Sequence, residues 1–495
     1  MKTINIIGAG FSSLSAACYL AKAGYEVGVY EKNNSLGGRA RVLEIDGFKF
    51  DMGPSWYWMP DVFERFFSDF GKRVSDYYEL KRISPSYRVY YDDASYIDVP
   101  STLAELHQLF EKEEPGSSRK LDQFLKQAEY NYNVAVKDLV YKPGLSPMEL
   151  ITPKTIGKIN QFFTSISFDV RKRFKNEKLI KILEFPVLFL GAKAQDTPSF
   201  YSFMNYADLV LGTWYPMGGM HKVVEAMVEL AKELGVKFNT NASIEKIIVD
   251  GGRATGMVVN KEIVYSDVLL SGADYHHTES LLDLKDRNYS EKFWSKKTFA
   301  PSALLFYVGF KKKLKNVSHH ILFFDRDFDH HSAEIYDKPA WPLNPLFYAN
   351  FPTVTDDSLA PKDKESAFFL IPLASGLKEN KDLHAKYFEL IINRLEQLTG
   401  QAVEKHILFK ESYSISNFKE DYNSYKGNAY GMANTLKQTA FLRPKIKSKK
   451  ISNLYFTGQL TVPGPGVPPA LISGKIAAEL IAKEQPNLKT HEIDF

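Results

Sequence analysis

Residues 3–40 read TINIIGAGFSSLSAACYLAKAGYEVGVYEKNNSLGGRA, and this stretch decides the fold. Ile4, Ile6 and Ile7 make a short apolar strand that runs into Gly8-Ala9-Gly10-Phe11-Ser12-Ser13. Leu14, Ala17, Cys18 and Ala21 then fall at i, i+3, i+4 and i+7, the spacing of one helix face, until Gly24 stops the helix. A second strand spans Glu26 to Glu31. The unit is βαβ, with a glycine turn where a dinucleotide pyrophosphate is held. Gly8 permits the tight turn, Gly10 lets backbone approach phosphate, and the helix N-terminus presents N–H groups and positive dipole. Glu31 follows Gly10 by 21 residues, where a carboxylate accepts from a ribose 2′-hydroxyl. That carboxylate would repel a 2′-phosphate, which disfavours NADP. The third glycine of the fingerprint, which serves close helix–strand packing, is Ser13 here, small enough to be tolerated.

A chain of 495 residues suggests about three domain-sized units. Its 35 Phe and 28 Tyr fit either a Phe-rich core or a long apolar cavity, and composition leaves both open. The single cysteine, Cys18, sits on the apolar helix face; it permits no internal disulfide, and no Cys/His metal spacing occurs. Core packing is its expected role, and a cytoplasmic setting is expected, although so cysteine-poor a chain would also survive outside. No uninterrupted apolar run reaches the roughly 18 residues of a membrane span, so a soluble or peripheral protein is expected.

The dinucleotide signal continues beyond the first unit. Leu36-Gly37-Gly38-Arg39-Ala40 and Gly47-Phe48-Lys49-Phe50-Asp51-Met52-Gly53-Pro54-Ser55 place glycines where backbone must approach a ligand, with Arg39 able to meet phosphate or ribityl oxygens. A second glycine motif of this kind points to a longer cofactor, FAD. Trp214-Tyr215-Pro216-Met217-Gly218-Gly219-Met220 precedes an amphipathic helix from Val223 to Leu234. Strands at 236–238 and 242–249 and a third at 267–270, ending in Ser271-Gly272-Ala273-Asp274, read as a second layer of the same domain. Near the C-terminus, Asn453 to Ala470 gives a strand, a glycine/proline loop and a helix from Leu471. This is another helix N-terminus suited to a flavin's ribityl chain or pyrimidine ring.

Between these parts, Glu111-Lys112-Glu113-Glu114-Pro115-Gly116-Ser117-Ser118 reads as a polar break leading into a helical insert to about residue 210. From Pro153 to Lys181, eight basic residues (Lys154, Lys158, Arg171, Lys172, Arg173, Lys175, Lys178, Lys181) face only Asp169 and Glu177, in a chain of net charge +4. Phe162, Phe163, Ile166, Phe168 and Phe174 are interleaved. Such a stretch suits an anionic bilayer surface, or else is a solvated charged face over an ordinary core. No nucleic-acid motif accompanies it. His319-His320 and His330-His331 are read as strand pairs whose side chains point to opposite faces, so no metal site is expected.

These segments, in this order, resemble the bacterial phytoene desaturase family of carotenoid desaturases, FAD enzymes of the amine-oxidase-like flavoprotein superfamily. The likeness rests on Gly37 to Ala40 with Phe50 to Pro54, on Ser84-Pro85-Ser86-Tyr87-Arg88 and on Tyr215 to Gly219. It extends to His319-His320, Val354 to Pro361 and Pro463-Gly464-Pro465-Gly466-Val467-Pro468. The closing loop departs from the commonest form, placing Val462 where many members carry a histidine.

The resemblance implies an α/β protein: a Rossmann-like FAD-binding domain (1–85, 215–290, 420–495), an inserted mixed-sheet substrate domain (86–100, 295–419) and a helical, membrane-facing insert (101–214). It implies non-covalent FAD held by Gly8, Gly10, Phe11, Ser12, Ser13, Glu31, Lys32, Gly38, Arg39, Ala40, Gly53, Pro54, Ser55, Ile244, Gly458, Gly466, Val467 and Pro468. The implied reaction is carotenoid desaturation, by hydride transfer to flavin N5, at the 3,4 position or on phytoene. An isomerase or ketolase on the same scaffold, or a non-catalytic lipid-binding relative, are the alternatives. Quinone or oxygen would reoxidise the flavin, at the inner face of the cytoplasmic membrane. No catalytic acid or base is singled out.

Overall fold

The computed structural model describes residues 1–150, 152–153, 157, 159–435 and 437–487; Lys154 and Lys158 of the basic stretch lie outside them. Strand β1 (Thr3–Ile7), helix α1 (Phe11–Lys22) and strand β2 (Glu26–Tyr30) form at the opening stretch. Helix α2 (His221–Glu233), β3 (Lys237–Asn239), β4 (Val268–Ser271), β5 (Leu454–Phe456) and α3 (Val467–Glu484) complete a layer drawn from distant parts of the chain. All five strands are parallel, in the order β5-β4-β1-β2-β3. A parallel sheet requires cover on its faces, and α1 shows how closely that cover is packed. Every residue from Phe11 to Leu20 is buried. The sequence pattern expects one buried face; instead α1 lies between two helices, with Cys18 Sγ 3.8 Å from the Met227 carbonyl of α2. On its other side Gly474 of α3 approaches the Ser12 backbone so closely that a Cβ would collide. Ser12, Ser13, Ser15, Ala16 and Ala17 are small enough to allow both contacts.

Helix α3 begins at Val467 rather than Leu471, with Gly466 as its N-cap. Pro468 and Pro469 fit inside the first turn because backbone N–H groups there have no intrahelical partner.

A second sheet of seven strands runs in the order Ile407–Tyr413, Ser302–Phe310, Glu365–Leu373, Phe347–Asn350, His320–Phe324, Tyr87–Tyr91, Tyr96–Val99. It is antiparallel except where His320–Phe324 pairs with Tyr87–Tyr91. Strand Ser302–Phe310 is buried on both faces. Alternation sorts its residues: Leu304, Phe306, Val308 and Phe310 pack in a cluster with Ile391, Ile392 and Leu395 of helix Lys381–Thr399. Ala303, Leu305 and Tyr307 join the opposite cluster. That second face looks toward the site. A three-stranded antiparallel sheet (Ile244–Asp250, Arg253–Val259, Glu262–Tyr265) flanks the parallel one.

The helical region differs from the expected break. Helix Leu103–Glu113 ends in Glu111 to Glu113, and Ser117 and Ser118 open helix Ser117–Val134, so only residues 114–116 form the turn, with Gly116 at φ +83°. His330 and His331 do not lie on a strand. They sit in helix Phe328–Tyr336, whose N-cap Asp327 accepts the His330 N–H, an aspartate signal for a helix start. Among the described residues no group of three or more His, Cys, Asp or Glu side chains is placed to hold a metal ion, and no helix is long and apolar enough to cross a membrane.

Candidate active site

One cavity of about 620 Å³ runs from the glycine turn of the parallel sheet to the inner face of the seven-stranded sheet and the helical region. Gly8 has φ +84° and lies beside Ala273, so the turn between β1 and α1 abuts the end of β4. Gly10 caps α1 without a side-chain hydrogen bond, and a Cβ there would meet nothing within 4 Å. The first-turn N–H groups of α1 therefore face open space, as an anion requires. Gly38 packs against Gly10, and Gly53 approaches the Arg39 carbonyl closer than any Cβ would allow. Three loops thus meet at one point because none carries a side chain there.

Glu31 spans this turn. It is buried, and its Oε2 accepts the Ala9 N–H at 2.9 Å while Oε1 accepts the Asn33 backbone N–H and Nδ2, both at 2.9 Å. The carboxylate is fixed at the end of β2, beside the glycine turn. Lys32 reaches away to the Glu420 carbonyl at 2.5 Å. Arg39 is held over the Tyr422 ring at 5.0 Å and donates through Nη2 to Ser424 Oγ and the Asn428 carbonyl, at 3.2 and 3.3 Å. With its amide oriented to satisfy both ends, Gln459 accepts from Nη1 and Nη2 of Arg39 and donates to the Tyr430 carbonyl. Arg39 Nε is buried without a partner. Burial lowers the pKa of this guanidinium, and Asp274 nearby opposes the shift. Asp274 itself is pushed above the usual carboxylate range by burial, against hydrogen bonds from the Tyr425 and His277 N–H groups.

Of the eighteen residues expected at the cofactor, seventeen line the cavity. Ser13 does not. Its hydroxyl is fully buried against Gly272, at the end of β4, and has no hydrogen-bond partner. The room that a third glycine gives in the fingerprint is supplied here by Gly272, across the sheet. Asn33, Asp274, Tyr422, Asn423 and Gln459 also line this end and escaped the sequence reading. Asp274 carried a signal, an acid three residues beyond the carboxyl end of β4 at the nucleotide crevice. An unpartnered buried guanidine nitrogen, an uncapped helix N-terminus, glycine cradles and a fixed carboxylate beside the turn together fit the pyrophosphate and ribose of FAD.

The other end is apolar. Trp56, Phe185, Phe200, Phe203 and Met204 face Ala303, Leu305, Leu322, Phe324 and Leu370 across it, with His331 and Tyr348 among them. His331 Nε2 donates to the Pro372 carbonyl at 3.0 Å while Nδ1 accepts the Leu346 N–H, and burial brings its pKa down to about 4. The π-helical turn Ala135–Leu139 and the segments around Lys142 to Glu149 and Thr439 to Phe441 also border the space.

A glycine turn, a cradle for a dinucleotide and an adjoining apolar tunnel define a flavin oxidoreductase. The chain belongs to the flavin containing amine oxidoreductase family, whose model matches residues 11–482. Its relatives include a carotenoid 3,4-desaturase of Haloarcula japonica, 40% identical over 97% of this chain and 98% of that protein. A zeta-carotene-forming phytoene desaturase of Myxococcus xanthus is 32% identical over 97% of this chain and 93% of its own length. Among solved structures, an oxidoreductase from Methanosarcina mazei superposes with a TM-score of 0.66 over 96% of this chain and all of the other, at 18% identity. The fold is thus the mixed α/β fold of this family, and its cofactor is FAD.

Proposed function

We propose that this protein is an FAD-dependent carotenoid desaturase that introduces a conjugated double bond at the 3,4 position of a long apolar polyene. The observation that carries the reading is the continuity of the cavity: the glycine cradle opens directly into an aromatic-lined tunnel. When bound, FAD supplies a hydride acceptor at N5. The chain's residues hold the cofactor without a covalent bond, exclude water, and keep the polyene extended against the ring, which is proximity catalysis. Gly8, Gly10, Glu31 and Arg39 take the dinucleotide end; Gly53 to Ser55 and Gly458 to Pro468 take the flavin end. The division into FAD-binding (1–85, 215–290, 420–495), substrate (86–100, 295–419) and insert (101–214) parts belongs to the same proposal. The higher identity to the 3,4-desaturase than to the phytoene desaturase favours the first over the second.

The substrate is dissolved in lipid, so we place the protein at the inner face of the cytoplasmic membrane, with a quinone or oxygen as electron acceptor. The contact rests less on charge than the sequence suggests. Arg171 is paired with Glu177 and Glu184, Arg173 with Asp169, and Lys178 with Asp93. Support comes instead from apolar side chains left in solvent in the insert: Leu145, Met148, Phe163 and Phe168, 57 to 80% exposed, the first two beside the border of the cavity. The test is incubation of the FAD-loaded protein with a panel of carotenoids. A red-shifted absorption maximum identifies substrate and step, and unshifted spectra throughout would sink desaturation.

A further inference from the structure

The seven-stranded sheet gives the cavity an apolar floor with one exception. Ala303, Leu305, Leu322, Phe324 and Leu370 line it, and Tyr348, whose cross-strand neighbours are Leu322 and Leu370, brings in a hydroxyl. That hydroxyl is the middle of a buried row, 3.0 Å from Ser55 Oγ and 2.6 Å from His320 Nδ1. The row has a direction. Asn350 Nδ2 donates to the His319 carbonyl at 3.1 Å and to His320 Nδ1 at 3.3 Å, so Nδ1 is the acceptor and Nε2 carries the proton. Tyr348 therefore donates to His320, and Ser55 to Tyr348. The imidazole is held in plane by Trp56, stacked at 4.0 Å and 10°. Its Nε2 is buried without a partner.

We propose that Tyr348, backed by His320, receives the proton released in desaturation; this rests on the desaturase reading above. The bound flavin would supply the oxidant, taking a hydrogen with both electrons from one carbon of the saturated bond. On its neighbour the C–H bond breaks, its electron pair becomes the new π bond, and its proton goes to Tyr348 Oη as the tyrosine's own proton passes to His320 Nδ1. After product leaves, the proton would return through Tyr348 to the cavity and join the hydride equivalent in the two-electron reduction of the quinone or oxygen acceptor. A C–H bond beside a developing cation is strongly acidic, so a neutral and weakly basic relay is sufficient. Burial holds His320 well below the ordinary histidine pKa, so its ring is neutral before the reaction and gives the proton up again readily afterwards. Tyr348 touches the substrate space; His320 is a positioning and relay residue acting through it.

The experiment uses FAD-loaded wild type, Tyr348→Phe and His320→Gln with the carotenoid that wild type converts. Tyr348→Phe is expected to slow single-turnover product formation by about 100-fold or more and His320→Gln by about 10-fold, with polyene affinity held within about twofold. In histidine ¹⁵N NMR of the cofactor-free protein, His320 is expected as the Nε2–H tautomer, with an Nδ1 shift that moves in Tyr348→Phe. A Tyr348→Phe protein as fast as wild type, or an Nδ1–H tautomer in wild type, overturns the relay alone. Wild type that converts no carotenoid removes the desaturase reading and the relay's role with it, a distinguishable result.

Discussion

Substituting Gly272 by alanine places a methyl group on the Ser13 hydroxyl. The backbone at Gly272 is outside the left-handed region, so the effect is pure packing. Rotation of Ser13 about χ1 would move Oγ away, yet Ser13 Cβ at 3.3 Å and Ser12 Oγ at 3.4 Å would still crowd the new methyl. Both serines are buried at the N-terminal turn of α1, pinned from behind by Gly474, so the helix has no room to recede. Overpacking of this kind costs about 1–3 kcal/mol. Ser13→Gly alone removes a buried hydroxyl that has no partner and loses about 0.5 kcal/mol or less of helix propensity, so a small net change is expected. In the double variant the fingerprint glycine returns and the alanine methyl occupies the vacated space. The two changes should therefore couple by about 1–2 kcal/mol in the favourable sense. Urea unfolding of the four proteins, followed by tryptophan fluorescence, measures the cycle. Strict additivity would refute the idea that Gly272 replaces the third glycine.

Three further outcomes are expected. Glu31→Gln must set an amide NH₂ against either the Ala9 N–H or the Asn33 donors, so FAD dissociation measured by fluorescence release should tighten no variant and weaken this one by about tenfold; unchanged affinity removes Glu31 from the ribose site. Asp208, which accepts from Tyr87 at 2.8 Å, is pushed by burial up to about 7, against its hydrogen bonds from Tyr87 and Thr213. The folded state thus holds a proton that the unfolded chain releases from its ordinary 3.8 upward, so stability is lost as pH rises from about 4 to 7. Asp208→Asn should flatten that fall, by about 2–4 kcal/mol across the window in urea titrations at fixed pH; parallel curves would contradict the assignment. Replacing Leu145, Met148, Phe163 and Phe168 by serine should reduce sedimentation with vesicles more than neutralising Arg171, Lys172, Arg173 and Lys175, and the reverse order would restore charge as the main contact.

The opening unit was legible because its signals are local: strand, turn, helix and terminal acid follow one another within forty residues. The cofactor glycines were legible for the same reason, since each marks a place where its own backbone must come close to something. What escaped depends on contacts between distant segments. Ser13 looked like a tolerated deviation, and only the placement of Gly272, far along the chain, shows how it is accommodated. The all-round burial of α1 follows from α2 and α3, which one-face periodicity cannot report. His330 and His331 read as a strand pair, whereas Asp327 starts a helix that carries both. The row from Ser55 through Tyr348 to His320 joins three segments with no shared spacing, so no local pattern could have announced it.

The closing loop shows the same principle acting on electrostatics. Val462 stands where many family members carry histidine, and in this chain it is buried against Gly144 of the insert. The loop is organised instead by Arg443, only 2% exposed, which spends all five of its donors. Nε meets the Thr461 carbonyl, Nη1 meets Asn434 Oδ1 and the Gln438 carbonyl, and Nη2 meets the Met432 and Gln459 carbonyls. Burial lowers its pKa to about 10, so it remains a cation at neutral pH. None of its acceptors is a carboxylate, and its charge is therefore left uncompensated by the groups it bonds. Gln459 lies between two buried guanidinium groups, bonded to Arg39 through its side chain and to Arg443 through its carbonyl. The closing loop thus gathers two buried guanidinium groups around Gln459: Arg39, which lines the cavity, and Arg443, which lies outside its lining. A positive field of this kind would suit a reduced, anionic flavin ring, and it needs no histidine at position 462.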